Sequence, residues 1–301
     1  MKITGAQVFE ARGTFVSRDL YVDGGMLTDR DCGGEVLDAE GCYAIPGLTD
    51  IHFHGAVGHD FSDGDADGLA AIAEYELSRG VTQICPAGMT LLPEALEKMC
   101  AVAAEHRKAE KPGASLCGIN LEGPFLSMAK KGAQNGDWLQ KPNMELLRKL
   151  EEVSGGLVKL VSVAPEVEGA MDFIRAFAGK KKLSIAHTGA DYETANLAVD
   201  AGADHVTHLY NAMNDMHHRE PGVVGMVEDR EVWAELICDG VHVHPAVIRM
   251  TFASNARKLC IVSDSLSAAG LGDGIYSLGG LSVHVNGRRA TLADGTLACS
   301  V

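Results

Sequence analysis

The residues best equipped for chemistry in this chain are histidines and carboxylates that follow short apolar runs. Ile51-His52-Phe53-His54-Gly55 places two imidazoles one residue apart. In a strand, positions i and i+2 point to the same side, so His52 and His54 offer a compact pair of nitrogen donors to a divalent metal. Other apolar runs end in kind: Glu122 in Leu121-Glu122-Gly123-Pro124-Phe125, His187 in Ala186-His187-Thr188-Gly189, His208 in Val206-Thr207-His208, and Asp264 in Val262-Ser263-Asp264. A further run leads into Asp239-Gly240-Val241-His242. Singly, each has a plain structural use: a Glu before Gly-Pro can cap a turn, and a His before Thr-Gly can bond a loop carbonyl. Together on one rim they are costly to bury unless a cation compensates them. The set reads as a metal-dependent hydrolase centre, with Asp264 as the natural proton carrier beside an activated water.

The elements that must position these residues follow a repeating pattern. Eight apolar runs occur at Ala44–Ile51, Val81–Cys85, Leu116–Leu121, Val158–Val163, Leu183–Ala186, His205–His208, Val232–Cys238 and Leu259–Val262. Amphipathic helical patterns separate most of them, at Gly68–Arg79, Pro93–Lys108, Met144–Glu152, Ala170–Phe177, Tyr192–Asp200 and Pro245–Ala256; Asn211–Arg230 is glycine-rich and only weakly helical. Strand–helix alternation implies parallel strands, and eight units imply a (β/α)₈ TIM-type barrel with its active site at the strands' C-terminal ends. Residues 1–43 alternate short β-like runs with Gly- and Asp-rich turns, and β-like runs return after Asp264. The expected organisation is an α/β chain with a hydrolase barrel over 44–270. A small β-sandwich subdomain would be built from both chain ends, 1–43 and 271–301, with the eighth helix and last strands cut short.

Composition bounds the partners. With 301 residues, 46% of them hydrophobic, the chain can bury a large core. A formal net charge of −15 argues against nucleic acid or an anionic membrane surface as the main partner, since both call for clustered Lys and Arg. The start lacks a secretory apolar core and no run approaches a membrane span, so the expected compartment is the cytoplasm. The eight cysteines are scattered without a Cys-x-x-Cys pair, and reduced, buried thiols are the ordinary expectation.

Pro46-Gly47-Leu48-Thr49-Asp50-Ile51-His52-Phe53-His54-Gly55 resembles the opening motif of the amidohydrolase superfamily. Taken with the segments around Glu122 and His208, and with Arg219-Glu220-Pro221-Gly222 and Asp239-Gly240-Val241-His242, the likeness over residues 44–301 narrows to the N-acetylglucosamine-6-phosphate deacetylase family. That resemblance implies hydrolysis of the acetamide of N-acetylglucosamine 6-phosphate to glucosamine 6-phosphate and acetate. It implies one tightly held divalent metal, Zn or Fe, on Glu122, His187 and His208, with His52 and His54 supplying a second position that only some members use. Asp264 would shuttle the proton. Asn211, the Ala212 backbone and His242 resemble sugar-phosphate contacts, and Arg219 matches an arginine donated across a homodimer interface to the phosphate. Arg suits that task because its fork makes two parallel charge-assisted bonds.

Gln134 occupies a place where some relatives carry a histidine that contacts the substrate carbonyl, and its amide can donate to a developing oxyanion. His205 shares a strand face with the His208 end and is read as structural; His59 and His106 are assigned to the surface, and His217 and His218 to a solvated loop. Two other readings stand beside the deacetylase: a related hydrolase acting on N-acetylgalactosamine 6-phosphate or another N-acyl amine, and a truncated chain without activity.

Overall fold

Seven strands lie side by side in one parallel sheet, in the order Ala87–Gly88, Ile119–Leu121, Val158–Val163, Lys182–Ile185, His205–Val206, Trp233–Ile237 and Leu259–Val262. The computed structural model in which they are seen describes residues 1–10, 13–109 and 111–301. A second sheet joins Ser115–Leu116, Val81–Ile84 and Leu48–Asp50. The segment after Asp50 is no longer in a regular ladder, yet its backbone stays paired on both sides. Phe53 C=O accepts from Ala87 N–H at 2.7 Å, and His52 C=O accepts from Asp264 N–H at 2.9 Å. The first and last strand regions are thus brought together, and the parallel sheet is curled.

Seven α-helices intervene: α1 (Ala66–Ser78), α2 (Pro93–Ala109), α3 (Met144–Val153), α4 (Ala170–Phe177), α5 (Tyr192–Ala201), α6 (Gly222–Asp229) and α7 (Pro245–Asn255). Their starts are chemically marked. Asp65, Asn143 and Asp191 sit before α1, α3 and α5, and each side chain accepts from a backbone N–H of the first turn, satisfying donors that the helix cannot. α4 buries Ala170, Phe173, Ile174 and Phe177, the i, i+3, i+4, i+7 stripe of a helix lying on a sheet. α6 buries Gly222 through Val227 without a break, so it has no polar face to reveal a period, which is why 211–230 reads as only weakly helical.

Between sheet and helices lies one large apolar cluster that includes Phe53, Ile72, Leu121, Val161, Ile185 and Leu236's neighbour Ala234, all fully buried. The inner face of the curled sheet is more polar: Ser162 and Ser184 are paired in register, and Thr207 bonds both through its hydroxyl.

Met1–Leu48 and Thr49–Val301 are separate compact units. In the first, Met26–Thr28, Leu20–Asp23, Lys2–Thr4 and Val36–Asp38 form one sheet, and Thr14–Ser17, Gln7–Glu10 and Tyr43–Ala44 another. In the second, the residues after Val262 hold an antiparallel meander of Gly274–Leu278, Leu281–Asn286 and Arg289–Thr291. No helix among the described residues is long and apolar enough to cross a membrane.

Burial departs from expectation at a few positions. His106 is buried on α2 rather than at the surface, while Cys32, Cys42 and Cys238 are exposed. Glu76 on α1 is 5% exposed, and burial together with the Asp50 carboxylate pushes its pKa up to about 7. The folded state therefore holds this proton more tightly than the unfolded chain, and stability falls as pH rises from the ordinary glutamate range through 7. Glu76→Gln should leave urea stability near wild type at pH 5 and raise it by about 1–3 kcal/mol at pH 8, the gap opening between those values.

Candidate metal centre and active site

Each chemical side chain sits where its strand gives out. His52 and His54 follow Leu48–Asp50, Glu122 follows Ile119–Leu121, His187 follows Lys182–Ile185, His208 follows His205–Val206, and Asp264 follows Leu259–Val262. His187, His208 and Asp264 have φ of 44°, 28° and 49°, and Ala212 beside them has 50°. Left-handed backbone at non-glycine residues costs about 1–2 kcal/mol each, and its concentration here marks a site where the fold imposes geometry on the chain. Gly55 is required by contact rather than dihedral. A Cβ there would lie 2.1 Å from the His59 carbonyl oxygen, in the tight return that carries the chain away from His54.

Three of the imidazoles are aimed by bonds on their far nitrogens, while His208 Nδ1 is buried without a hydrogen-bond partner among the described residues. His52 Nδ1 lies 2.6 Å from Glu235 Oε2, His54 Nδ1 lies 3.0 Å from the Ala87 carbonyl, and His187 Nδ1 lies 2.9 Å from the Lys130 carbonyl. Donation from Nδ1 to an acceptor leaves Nε2 bare and directed inward, the arrangement that fixes a metal-binding tautomer. Glu122 receives them: its Oε1 is 3.2 Å from His187 Nε2, 2.9 Å from His208 Nε2 and 3.3 Å from His52 Nε2, and its Oε2 is 3.3 Å from His54 Nε2. The two ring nitrogens of His187 and His208 are only 3.1 Å apart. A tetrahedral ion with bonds of about 2.0–2.1 Å sets its ligands roughly 3.3 Å apart, so these spacings are close to those of a coordination shell. His52 Nε2, His54 Nε2 and Asp264 Oδ1 are buried with no hydrogen-bond partner. Orphaned nitrogen and oxygen donors at such spacing fit a divalent cation. Two ligand groups are formed around Glu122, one with His187 and His208 and the other with His52 and His54.

Electrostatics agree. Burial disfavours charge on His52 and His54, but acidic neighbours outweigh it, Glu235 and Glu122 around His52 and Cys299, then Asp264, beside His54, and both imidazoles hold protons well above the usual range. Burial likewise opposes charge on Glu122 and Asp264, and the surrounding histidines overcome it and keep both carboxyls below theirs. In the absence of a cation, protons take its place on the imidazoles; an ion must displace them, so loading weakens as pH falls.

A cavity of about 340 Å³ opens over this cluster. Glu122, His187, His208 and Asp264 line it, with Gln134, Asn211, Ala212 and His242 from the sequence-derived set. His242 Nδ1 is bonded to Asp239 Oδ2 at 2.8 Å. Asn211 donates to the His208 and Leu209 carbonyls, bracing the loop after the ligand. Gln134 does more than face the cavity: its amide donates to Glu122 Oε2 at 2.6 Å while its carbonyl accepts from Thr90 N–H. Arg219 lies outside this cavity. It is exposed, bonded to His218 Nε2 at 2.7 Å, and lines a separate depression with Asp191 and Tyr192.

Two residues at the centre escape sequence reasoning. Glu235, fully buried mid-strand, also accepts from His205 Nε2 at 3.0 Å and from the His208 backbone N–H at 3.2 Å. Burial opposes its charge, yet His52 and His205 hold the carboxyl far below the ordinary range. A carboxylate in an otherwise apolar run was the available signal. Cys299 is the other, at the cavity wall, where burial and the Asp264 carboxylate push its thiol up. His205 is structural as expected, through Glu235.

The amidohydrolase family profile matches residues 43–297. The chain is 40% identical to the N-acetylglucosamine-6-phosphate deacetylase of Bacillus subtilis, across 85% of this chain and 66% of that protein. It is 35% identical to the Bos taurus protein of the same name, across 96% and 76%. A Mycobacterium smegmatis N-acetyl-D-glucosamine-6-phosphate deacetylase, solved in complex with N-acetyl-D-glucosamine-6-phosphate, superposes with a TM-score of 0.91 at 28% identity, covering 100% of this chain and 80% of that one. The chain thus spans about two thirds to four fifths of the length of these relatives.

Glu235→Ala strands two buried imidazoles and should cost about 3–5 kcal/mol in urea unfolding. Glu235→Gln preserves shape but weakens the grip on His52, and should lower affinity for a divalent ion about 10- to 100-fold in a competition titration.

Proposed function

The chain belongs to the amidohydrolase family, and on that footing we propose that it hydrolyses the acetamide of N-acetylglucosamine 6-phosphate, releasing acetate and glucosamine 6-phosphate. The observation that carries this reading is the convergence of three orphaned donors and the Glu122–His187–His208 group on one cavity also faced by Asn211 and His242. We read the curled sheet, with the Leu48–Asp50 strand, as the wall of the (β/α)₈ barrel and 44–270 as the hydrolase domain.

An amide is hard to cleave because its carbonyl is weakly electrophilic and its amine leaves poorly unless protonated. Glu122, His187 and His208 would hold a divalent ion, Zn or Fe, which would supply Lewis acidity to the carbonyl and lower the proton affinity of a water when bound. His52 and His54 offer a second position across the same carboxylate. Asp264, held ionised by its histidine neighbours, takes a proton from the attacking water and returns it to the amine nitrogen. Gln134 holds Glu122 in place, and it remains a candidate donor to the oxygen that gains charge. Asn211, the Ala212 backbone and His242 form the sugar side of the cavity. His242, with Nδ1 engaged by Asp239, keeps Nε2 free for a hydroxyl or phosphate oxygen.

Arg219 is assigned to the phosphate of a neighbouring subunit's substrate in a homodimer. Its exposure and its place outside this chain's own cavity support that assignment.

Acetate release from N-acetylglucosamine 6-phosphate, run beside the galactosamine isomer and the unphosphorylated sugar, tests the reading. Turnover should stop on chelation and return with added Zn²⁺ or Fe²⁺. Asp264→Asn should lower kcat by about 10²–10⁴ with metal content unchanged. Arg219→Ala should raise KM about tenfold or more for the phosphosugar and leave the unphosphorylated sugar unaffected. Equal rates for phosphorylated and neutral sugars would remove the phosphate assignment.

A further inference from the structure

Cys299 is the one thiol lining the metal cavity among the described residues, and the backbone brings it there by specific bonds. Ser300 N–H donates to the Asp264 carbonyl at 2.7 Å, Leu266 N–H donates to the Ser300 carbonyl at 3.0 Å, and Ser300 Oγ reaches the Ser263 carbonyl at 2.6 Å. Residues 265 and 300 form a parallel bridge. The segment carrying Cys299 therefore runs as an extra strand fragment beside the one that ends in Asp264. Cys299 itself has a φ of 60°, a conformation that favours glycine.

Its thiol lies beside two donor atoms that are without a hydrogen-bond partner among the described residues. Cys299 Sγ, His54 Nε2 and Asp264 Oδ1 include the atoms of a ligand group lying within 4.8 Å of one another. His54 Nε2 and Asp264 Oδ1 are 3.4 Å apart, and both are buried and unsatisfied by hydrogen bonds. His54 is fully buried, with its Nδ1 already committed to the Ala87 carbonyl, so Nε2 is left facing this spot on one side and Glu122 Oε2, 3.3 Å away, on the other.

We propose that Cys299 is a metal ligand, its thiolate joining His54 and Asp264 around a divalent transition ion. This rests on the metal-centre reading above and adds a soft donor to it. A nitrogen, an oxygen and a sulfur together favour zinc-type ions over magnesium or calcium, which take oxygen alone. The thiol proton is released to solvent as the metal–sulfur bond forms, and no oxidant or reductant enters the step. The second position on the His52–His54 side is thereby sulfur-bearing, unlike the Glu122–His187–His208 position.

The test is X-ray absorption on the metal-depleted, full chain reloaded with Zn²⁺, alongside near-ultraviolet absorption after reloading with Co²⁺. Wild type should show a sulfur shell at about 2.3 Å and a thiolate-to-cobalt charge-transfer band. Cys299→Gly should lose both and bind one Zn²⁺ fewer or about tenfold more weakly at that position. Because φ of 60° suits glycine, this variant should melt at or above the wild-type temperature, so loss of sulfur cannot be laid to unfolding. Cys299→Ser should likewise lose the sulfur shell. Full zinc occupancy in wild type with nitrogen and oxygen scatterers only would overturn the proposal and leave the metal-centre reading standing. Failure of the folded chain to bind zinc at all would overturn both.

Discussion

A single buried carboxylate sets the terms for the rest of the molecule. Glu122 is 3% exposed and lies within 3.3 Å of four imidazole nitrogens contributed by three separate strand ends. Such a group cannot remain ionised in an apolar interior without compensation, and the curled sheet is what delivers it. Three of these imidazoles in turn have their outward nitrogens satisfied. Those bonds reach further into the structure: to Glu235 beneath His52, to the Ala87 carbonyl behind His54, and to the Lys130 carbonyl behind His187. The bonds that aim these donors also tie one segment of the rim to another, as His52 to Glu235 and His54 to Ala87 do.

Backbone strain is distributed by the same logic. His187, His208 and Asp264 turn left-handed where a strand would otherwise carry their side chains onward. The chain tolerates this because the flanking peptide groups are held: Thr188 N–H by the Ala212 carbonyl, Leu209 N–H by the Glu235 carbonyl, and Asp264 N–H by the His52 carbonyl. Rigid neighbours over-determine the conformation, so the side chains arrive preorganised rather than recruited by a ligand.

Much of this was legible in the sequence, for a physical reason. Strands buried on both faces read as unbroken apolar runs, and helices lying on them show a one-sided stripe. Val158–Val163 and Ala170–Phe177 match their expected bounds to the residue. The third run instead divides into Ser115–Leu116 and Ile119–Leu121, with a break in the strand at Cys117-Gly118. α6 reads as only weakly helical because Gly222 through Val227 are buried without a polar position among them, and His106 reads as surface because one inward position on a polar-looking helix carries little signal. At the site, the motif-bearing ends stood out by residue type. Glu235 and Cys299 did not, since one lies mid-strand in an apolar run and the other among scattered cysteines. Their importance comes from partners remote in the chain, which no local pattern encodes.

That remoteness has a temporal side. The bond joining His54 N–H to the Ser265 carbonyl unites the opening motif with a segment more than two hundred residues later, and the bond from Ser300 N–H to the Asp264 carbonyl ties a further segment to that one. During synthesis, His52 and His54 leave the ribosome early and wait, with the wall that completes their surroundings still untranslated. The sheet can grow strand by strand, each new one resting on the last, but the cavity closes only when both ends of this stitch are present. The surroundings of His54 are therefore completed after the Glu122–His187–His208 group, all of whose members precede Asp264 and Ser265 in the chain.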